Sequence, residues 1–224
     1  MSEPLPTLTP AEVRVLGSLI EKQVTTPDYY PLTLNSLTNA CNQLTNREPV
    51  VALDETMVVR AIDGLRDKRL ATLFTGAESR VAKYKHTLSE AVLLTPAELA
   101  LLCVLMLRGP QTIGELRTRC ERLFTFDSLA EVEEALNALA ARQPQPLVAK
   151  MPRLPGTKES RFVHLLGGRV ELAANEKLPP IEPATASVRA ENERIAKLEE
   201  ELAAVRREVA ELHQQFADFR KQFE

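Results

Sequence analysis

The hexapeptide Leu8-Thr9-Pro10-Ala11-Glu12-Val13 returns almost unchanged as Leu94-Thr95-Pro96-Ala97-Glu98-Leu99. Each copy is a helix start. Thr stands at the N-cap, Pro at the first helical position, and Glu three residues on can reach back to the amide of the cap. Leu8 and Leu94 precede the caps and are placed to staple against Val13 and Leu99. A chain that begins the same helix twice is constrained to fold as two versions of one unit, so the rest of the sequence is read as a duplication.

The copies agree well beyond their first turns. Val13, Leu16, Gly17 and Ile20 share one helical face, and Leu99, Leu102, Cys103 and Met106 occupy the matching positions at a constant offset of 86. A second helix is predicted with Leu34, Leu37 and Cys41 after Thr33, and again with Ile113, Leu116 and Cys120 after Thr112, where Glu115 completes another capping box. The third helix carries Val58, Ile62 and Leu65 behind the cap Asp54, and Val132, Leu136 and Leu139 behind Ser128, now at an offset of 74. A short apolar strand follows in each, around Leu70 to Phe74 and Leu147 to Met151. Turn-rich tips come next, with return strands at Ser79 to Tyr84 and Ser160 to Leu165. The order helix, helix, helix, strand, tip, strand, found twice, is that of a winged helix-turn-helix. The expected fold is therefore mainly α with small β-hairpins, an α+β class, in two tandem winged helix-turn-helix domains at 1–90 and 91–175.

Residues 176–186 form a Pro-rich linker that cannot continue a helix. Beyond it, over 187–224, Ile195, Leu202, Val209, Phe216 and Phe223 repeat every seven residues, with Leu198, Val205, Leu212 and Phe219 between them. This a/d seam predicts a coiled-coil helix. In a parallel pair the flanking positions would join Arg194 with Glu199, Glu201 with Arg206, Glu208 with His213 and Gln215 with Arg220, and no pair is like-charged. A homodimer through Ile195, Leu198, Leu202, Val205, Val209, Leu212, Phe216 and Phe219 is the expectation, against a single helix lying back on its own domains.

Composition narrows the function classes. With 44% hydrophobic residues in 224 the chain can bury real cores, and 28 Lys+Arg against 31 Asp+Glu withhold the global basic signature of many nucleic-acid binders. Met1-Ser2-Glu3-Pro4 lacks a basic start followed by an apolar stretch, and no run approaches a membrane span, so a cytoplasmic protein is expected. Cys41, Cys103 and Cys120 are scattered with no CxxC pair, as are His86, His164 and His213. The sequence therefore offers no metal-ligand spacing, nucleophile motif or Gly-rich phosphate loop, and neither cofactor nor catalysis is expected.

The first copy also holds long polar strings. Glu21-Lys22-Gln23 leads to Thr25-Thr26-Pro27 and Tyr30-Pro31-Leu32, then Ala40-Cys41-Asn42-Gln43 and Thr45-Asn46-Arg47-Glu48-Pro49-Val50. The second copy has the string from Arg108-Gly109 through Gln111-Thr112 and Gly114-Glu115-Leu116 to Arg117. Over roughly residues 8 to 170 the chain resembles the YceH-like family of bacterial proteins, which carries these strings. The resemblance implies the tandem winged-helix fold already reached from the periodicities, and brings no activity or site residues with it.

Read physically, Asn35, Asn39 and Asn42 share one face of the second helix. Amides of this kind, with Gln43 and Asn46, can read adenine in a major groove, while Arg47 can grip guanine or phosphate. The alternative is structural, because Asn and Thr also tie irregular loops through backbone hydrogen bonds. A winged helix normally reads DNA with its third helix and touches the backbone with its wing. Here the second copy's third helix holds Glu131, Glu133 and Glu134 against only Arg142, while the first copy's mixes Arg60, Arg66, Lys68 and Arg69 with four acids. Other candidate phosphate contacts are Arg80 and Lys83 on the first wing, Arg117, Arg119 and Arg122 on the second copy's middle helix, and Lys158 and Arg161 on the second wing. Two partner classes stay open: double-stranded DNA bound by a regulator-like dimer, and another protein bound by winged helices that have lost their nucleic-acid contacts.

Overall fold

The computed structural model describes residues 5–74, 81–153 and 159–168. The candidate contacts Arg80 and Lys158, the linker and the whole heptad seam lie outside these residues. What is described is a mixed α and β protein. The first copy runs α1 (Pro10–Thr25), a 3-10 turn (Pro27–Tyr29), β1 (Leu32–Thr33), α2 (Leu34–Cys41), α3 (Glu55–Asp67), β2 (Ala71–Phe74) and β3 (Lys83–His86). A short α4 (Leu88–Ala91) leads into the second copy: α5 (Pro96–Arg108), α6 (Ile113–Cys120), α7 (Leu129–Ala140), β4 (Val148–Lys150) and β5 (Phe162–His164).

The helix starts follow from the capping chemistry. Thr9 Oγ1 accepts the Glu12 N–H at 3.3 Å while Glu12 accepts the Thr9 N–H at 2.7 Å, and Thr95 with Glu98 repeats both bonds at 3.2 and 2.8 Å. Thr112 with Glu115 makes a third box, and Thr33, Asp54 and Ser128 each accept one amide from their own first turns. These bonds satisfy donors that a helix N-terminus otherwise leaves open.

In the first copy the sheet order is β1-β3-β2, antiparallel, with Leu32 opposite Tyr84 and Ala71 opposite His86. The second copy pairs β4 with β5, and an isolated bridge between Gln111 and Phe162 takes the place of β1. The first return strand lies at 83–86, displaced toward His86 from the 79–84 expected by pattern. Tyr30 is the reason: its hydroxyl accepts the His86 N–H at 2.8 Å, and anchors the loop after α1 against the end of this strand. Tyr29, its neighbour, is 80% exposed.

One continuous hydrophobic core runs through both copies. Helix α1 is buried on every face from Glu12 to Glu21 because it packs against α2 and α3 on one side and α5 on the other. At that second contact Gly17 leaves room for α5 to approach. A Cβ there would lie 2.9 Å from Leu107 Cδ2, and the Cys103 thiol donates to the Gly17 carbonyl at 3.4 Å. Residues 17 and 103 are equivalent in the repeat, so the copies meet through matching positions, as in an isologous contact. The start of the first copy also reaches the end of the second, with Leu8 N–H donating to the Leu166 carbonyl at 2.8 Å.

The repeat includes an ion pair that sequence reading missed. Lys68 Nζ sits 2.6 Å from Glu12, and Arg142 sits 3.3 Å from Glu98. Each capping Glu thus holds the cation at the end of its own third helix. Lys68 and Arg142 differ by the same 74 as the third-helix core residues, and that offset was the available signal. Burial alone would raise the Glu12 carboxyl, but the Lys68 ammonium and the Thr9 amide outweigh it and hold the group below its ordinary value.

Candidate interaction surfaces

Key side chains of the first copy's polar strings turn inward. The Arg47 side chain is wholly buried and every one of its nitrogens is engaged: Nε and one terminal nitrogen donate to the Ala40 carbonyl at 3.1 and 2.7 Å. The terminal nitrogens also reach Glu21 at 2.7 and 3.3 Å, the Asn46 carbonyl at 2.9 Å and Gln43 Oε1 at 3.1 Å. Asn42 closes a two-way bond with Leu53, donating at 2.7 Å and accepting at 2.8 Å, and Asn46 accepts from Arg108. Asn42, Gln43, Asn46 and Arg47, candidates for base readout, are therefore committed to holding the loop between α2 and α3.

The physical cause is the length of that loop, whose carbonyls need donors wherever the chain crosses the core. A guanidinium supplies five in a fixed fork. Arg14 does the same from α1, donating to the Cys41 carbonyl at 3.4 Å and the Pro49 carbonyl at 2.5 Å. Sequence reading passed over Arg14, although a charged residue between Val13 and Val15 on a helix buried from Glu12 to Glu21 needs a buried partner. Of the asparagine face only Asn35 and Asn39 remain exposed, joined by an amide bond of 2.9 Å.

Among the first copy's candidate cations, Arg60 is exposed on α3 and Lys83 is half-buried on β3 opposite Thr33 and Phe74. Arg66 pairs with Asp63 at 2.8 Å on the same helix. Val81, Leu73 and Phe74 leave apolar surface on the hairpin, at 58%, 37% and 44% exposure.

The second copy binds most of its own arginines. Arg117 donates to the carbonyls of Phe126 and Asp127 at 3.3 and 3.1 Å. Arg161 donates to the Pro110 carbonyl and to Glu115, both at 2.8 Å, and ties the hairpin to α6. Burial would raise the Glu115 carboxyl, but the Thr112 amide and Arg161 hold it below its ordinary value. Arg119 reaches the same carboxylate at 4.0 Å, and Arg122 is exposed. Arg142 is spent on Glu98 and the Leu93 carbonyl.

What α7 shows to solvent is Leu129, Ala130, Glu133, Glu134, Asn137, Ala138 and Ala140, and no cation. This face borders an open cleft of about 400 Å³ between the starts of α6 and α7 and the β4-β5 hairpin. Ile113, Leu129 and Phe162 supply its apolar lining, and Glu133, Glu159, Lys150 and Arg153 its charges. Lys150 lies 5.7 Å from the centre of the Phe162 ring, a cation over an aromatic face.

With both copies placed, the chain can be set beside known proteins. Residues 8–157 match the family described as "Protein of unknown function, DUF480". A UPF0502 protein from Geobacter sulfurreducens is 58% identical over 217 residues, 97% of this chain and 98% of the relative. Another from Opitutus terrae is 55% identical over 194 residues, 87% of this chain and 84% of the relative. The chain belongs to the DUF480 family. The DUF480 match takes in both copies together, from the cap of α1 into the second hairpin, so the pair is the family's unit. The Geobacter alignment spans 97% of this chain, so it runs on past the family match into residues 187–224.

The remaining chemistry is quiet. Cys41, Cys103 and Cys120 are free and buried, and burial pushes all three thiols up, Cys120 to about 12, away from the nucleophilic thiolate. Among the described residues no three His, Cys, Asp or Glu side chains are grouped to hold a metal ion. No described helix is long and apolar enough to cross a membrane.

Proposed function

We propose that the protein is a tandem winged-helix adaptor that binds another protein, without catalysis, and works as a parallel dimer through its C-terminal heptads. The element order supports the winged helices. Each copy has a first helix, a strand or bridge, two further helices and a closing hairpin, with β1 and the Gln111 bridge in corresponding places. The observation that carries the protein-binding reading is the surface of α7. A third helix that entered a major groove would meet phosphates on both sides, and this one offers carboxylates, Leu129 and Ala130 beside an apolar cleft. Charged residues around an apolar centre are what a protein interface presents.

The test places a photo-reactive residue at Leu129 or, separately, at Arg60 in the full chain inside cells. Discrete protein adducts from position 129 that vanish with Glu133→Arg support the adaptor. Their absence, together with duplex binding that weakens steeply with salt in fluorescence anisotropy, would overturn it. That second outcome is the DNA-associated reading, favoured by the exposed Arg60 on α3 and by Lys83 on β3 in the first copy. For the dimer, removing residues 187–224 should halve the mass in solution, and an unchanged mass would refute it.

A further inference from the structure

Where α1, α5 and α6 meet, at the seam between the copies, three guanidinium groups line one small cleft. Arg108 closes α5, and Arg119 and Arg122 stand at the end of α6 and just beyond it. Thr25 and Asn46 add polar groups from the first copy, and Arg108 donates to the Asn46 side chain. The cleft opens to solvent and encloses about 30 Å³.

The carboxylates around it are already committed. Glu21, which lines the cleft, is held by Arg47 at 2.7 Å. Glu115 is held by Arg161 at 2.8 and 3.3 Å, so that Arg119 approaches it only to 4.0 Å. Glu48 acts on Arg108 from the exposed loop. Among the described residues, Arg47, Arg108, Arg119, Arg122 and Arg161 thus stand against Glu21, Glu48, Glu115 and the exposed Glu121 in this neighbourhood, an excess of positive charge within a protein whose net charge is -3. Burial and the charges of Arg119 and Arg47 push the Arg108 guanidinium below its ordinary value, which reports the same crowding. Like charges held together cost free energy that a bound anion relieves.

We propose that Arg108, Arg119 and Arg122 form a binding site for a phosphate-class oxyanion at the seam between the two copies. The chemistry fits the group. Guanidinium forks match the oxygens of phosphate in pairs, and the Asn46 NH2 adds a donor, while the Thr25 hydroxyl is already given to the Glu21 carbonyl at 2.9 Å. The enclosed space takes one oxygen-sized group, about the share of a single water in the liquid, with the rest of the anion at the mouth. A nucleobase or a peptide does not fit inside. The site is distinct from the α7 cleft, so it stands whether or not the adaptor reading holds.

The experiment is isothermal titration of the full chain with inorganic phosphate, beside thermal midpoints in phosphate and in chloride at matched ionic strength. Phosphate binds the native state and should raise the midpoint with saturation. Arg119→Gln and Arg122→Gln should each weaken the affinity roughly tenfold, while Arg60→Gln leaves it unchanged. Arg122 is exposed, so its variant keeps the test decisive even where Arg119→Gln lowers stability. Adenosine monophosphate competing at equal strength marks free phosphate as the natural class, and tighter competition marks a phosphate ester. Equal midpoints in phosphate and chloride would overturn the proposal. So would wild-type affinity in the Arg119→Gln/Arg122→Gln variant, or a dependence on these arginines seen with duplex DNA alone.

Discussion

Replacing Arg47 by Met asks whether this side chain is a structural clamp or a surface reader. The guanidinium is fully buried and Glu21, its partner, is 8% exposed at the side chain. Met fills much of the same volume, so the loss is mainly electrostatic. It leaves the Glu21 carboxylate without its cation, the Ala40 carbonyl without two donors, and the Asn46 carbonyl and Gln43 amide without one each. Breaking one side of a buried ion pair costs about 3–5 kcal/mol, and an orphaned buried carbonyl about 1–3 kcal/mol. The two overlap, because a loop that opens to water rehydrates both groups at once, so about 4 kcal/mol is expected. That is a large share of the ~5–15 kcal/mol that holds an ordinary domain together. Urea unfolding followed by circular dichroism reads it as a lower midpoint at unchanged slope. Adding Glu21→Gln removes the stranded charge and should restore part of the loss, a coupling above about 1.5 kcal/mol. A loss under about 1 kcal/mol for Arg47→Met, with a fall in DNA affinity in its place, would refute the clamp.

Two further perturbations probe other joints. His86 is buried, and burial, with the Lys85 charge, lowers it to about 4, while burial alone lowers His164 to about 4. Both pKa values fall on folding from about 6.5, so the unfolded chain binds protons first. Stability is then full above that value and is lost as pH drops toward 4, by about 3 kcal/mol for the buried His86. In His86→Gln the slope of stability between those limits should shrink, and an unchanged slope would refute the assignment. Gly17→Leu drives a side chain into Leu107 and Met106 and should cost at least ~1–3 kcal/mol, with faster hydrogen exchange along α5. Gly114→Ala, which meets nothing within 4 Å, is the control that should keep or gain stability.

The frame of the fold was legible because helix starts are local. Thr9, Thr95 and Thr112 with their glutamates decide three helix boundaries within four residues each, and the apolar spacing behind them decides which face is buried. Long-range polar partnerships were not legible in the same way. Arg47 reads alike whether it faces a groove or reaches Glu21, twenty-six positions earlier, and only the path of the loop chooses. Exposure had the same limit: Tyr29 and Tyr30 are adjacent and alike, yet one meets solvent and the other holds His86. The candidate surface on α7 was visible as an acidic helix, but the cleft beside it depends on where Phe162 and Lys150 arrive from the hairpin.

The duplication explains why the two copies cannot be interchanged. At the seam their equivalent positions meet, and the space beside Gly17 is already filled by Leu107. Cysteine at both positions would clash, while glycine at both would leave the Cys103 side-chain volume empty. One small and one larger residue is the packing solution, so sequence divergence at 17 and 103 follows from the contact itself. The capping glutamates show the opposite case: each faces only its own third helix, and the arrangement survives as Glu12 with Lys68 and Glu98 with Arg142. Contacts within a copy were thus free to stay alike, while contacts between copies had to differ. Because α1 is buried on every face by both copies, the outward surfaces of α3 and α7 are held in one fixed relation. Any partner that spans them meets a rigid template, and the affinity it gains comes from preorganised geometry as well as from each surface's own contacts.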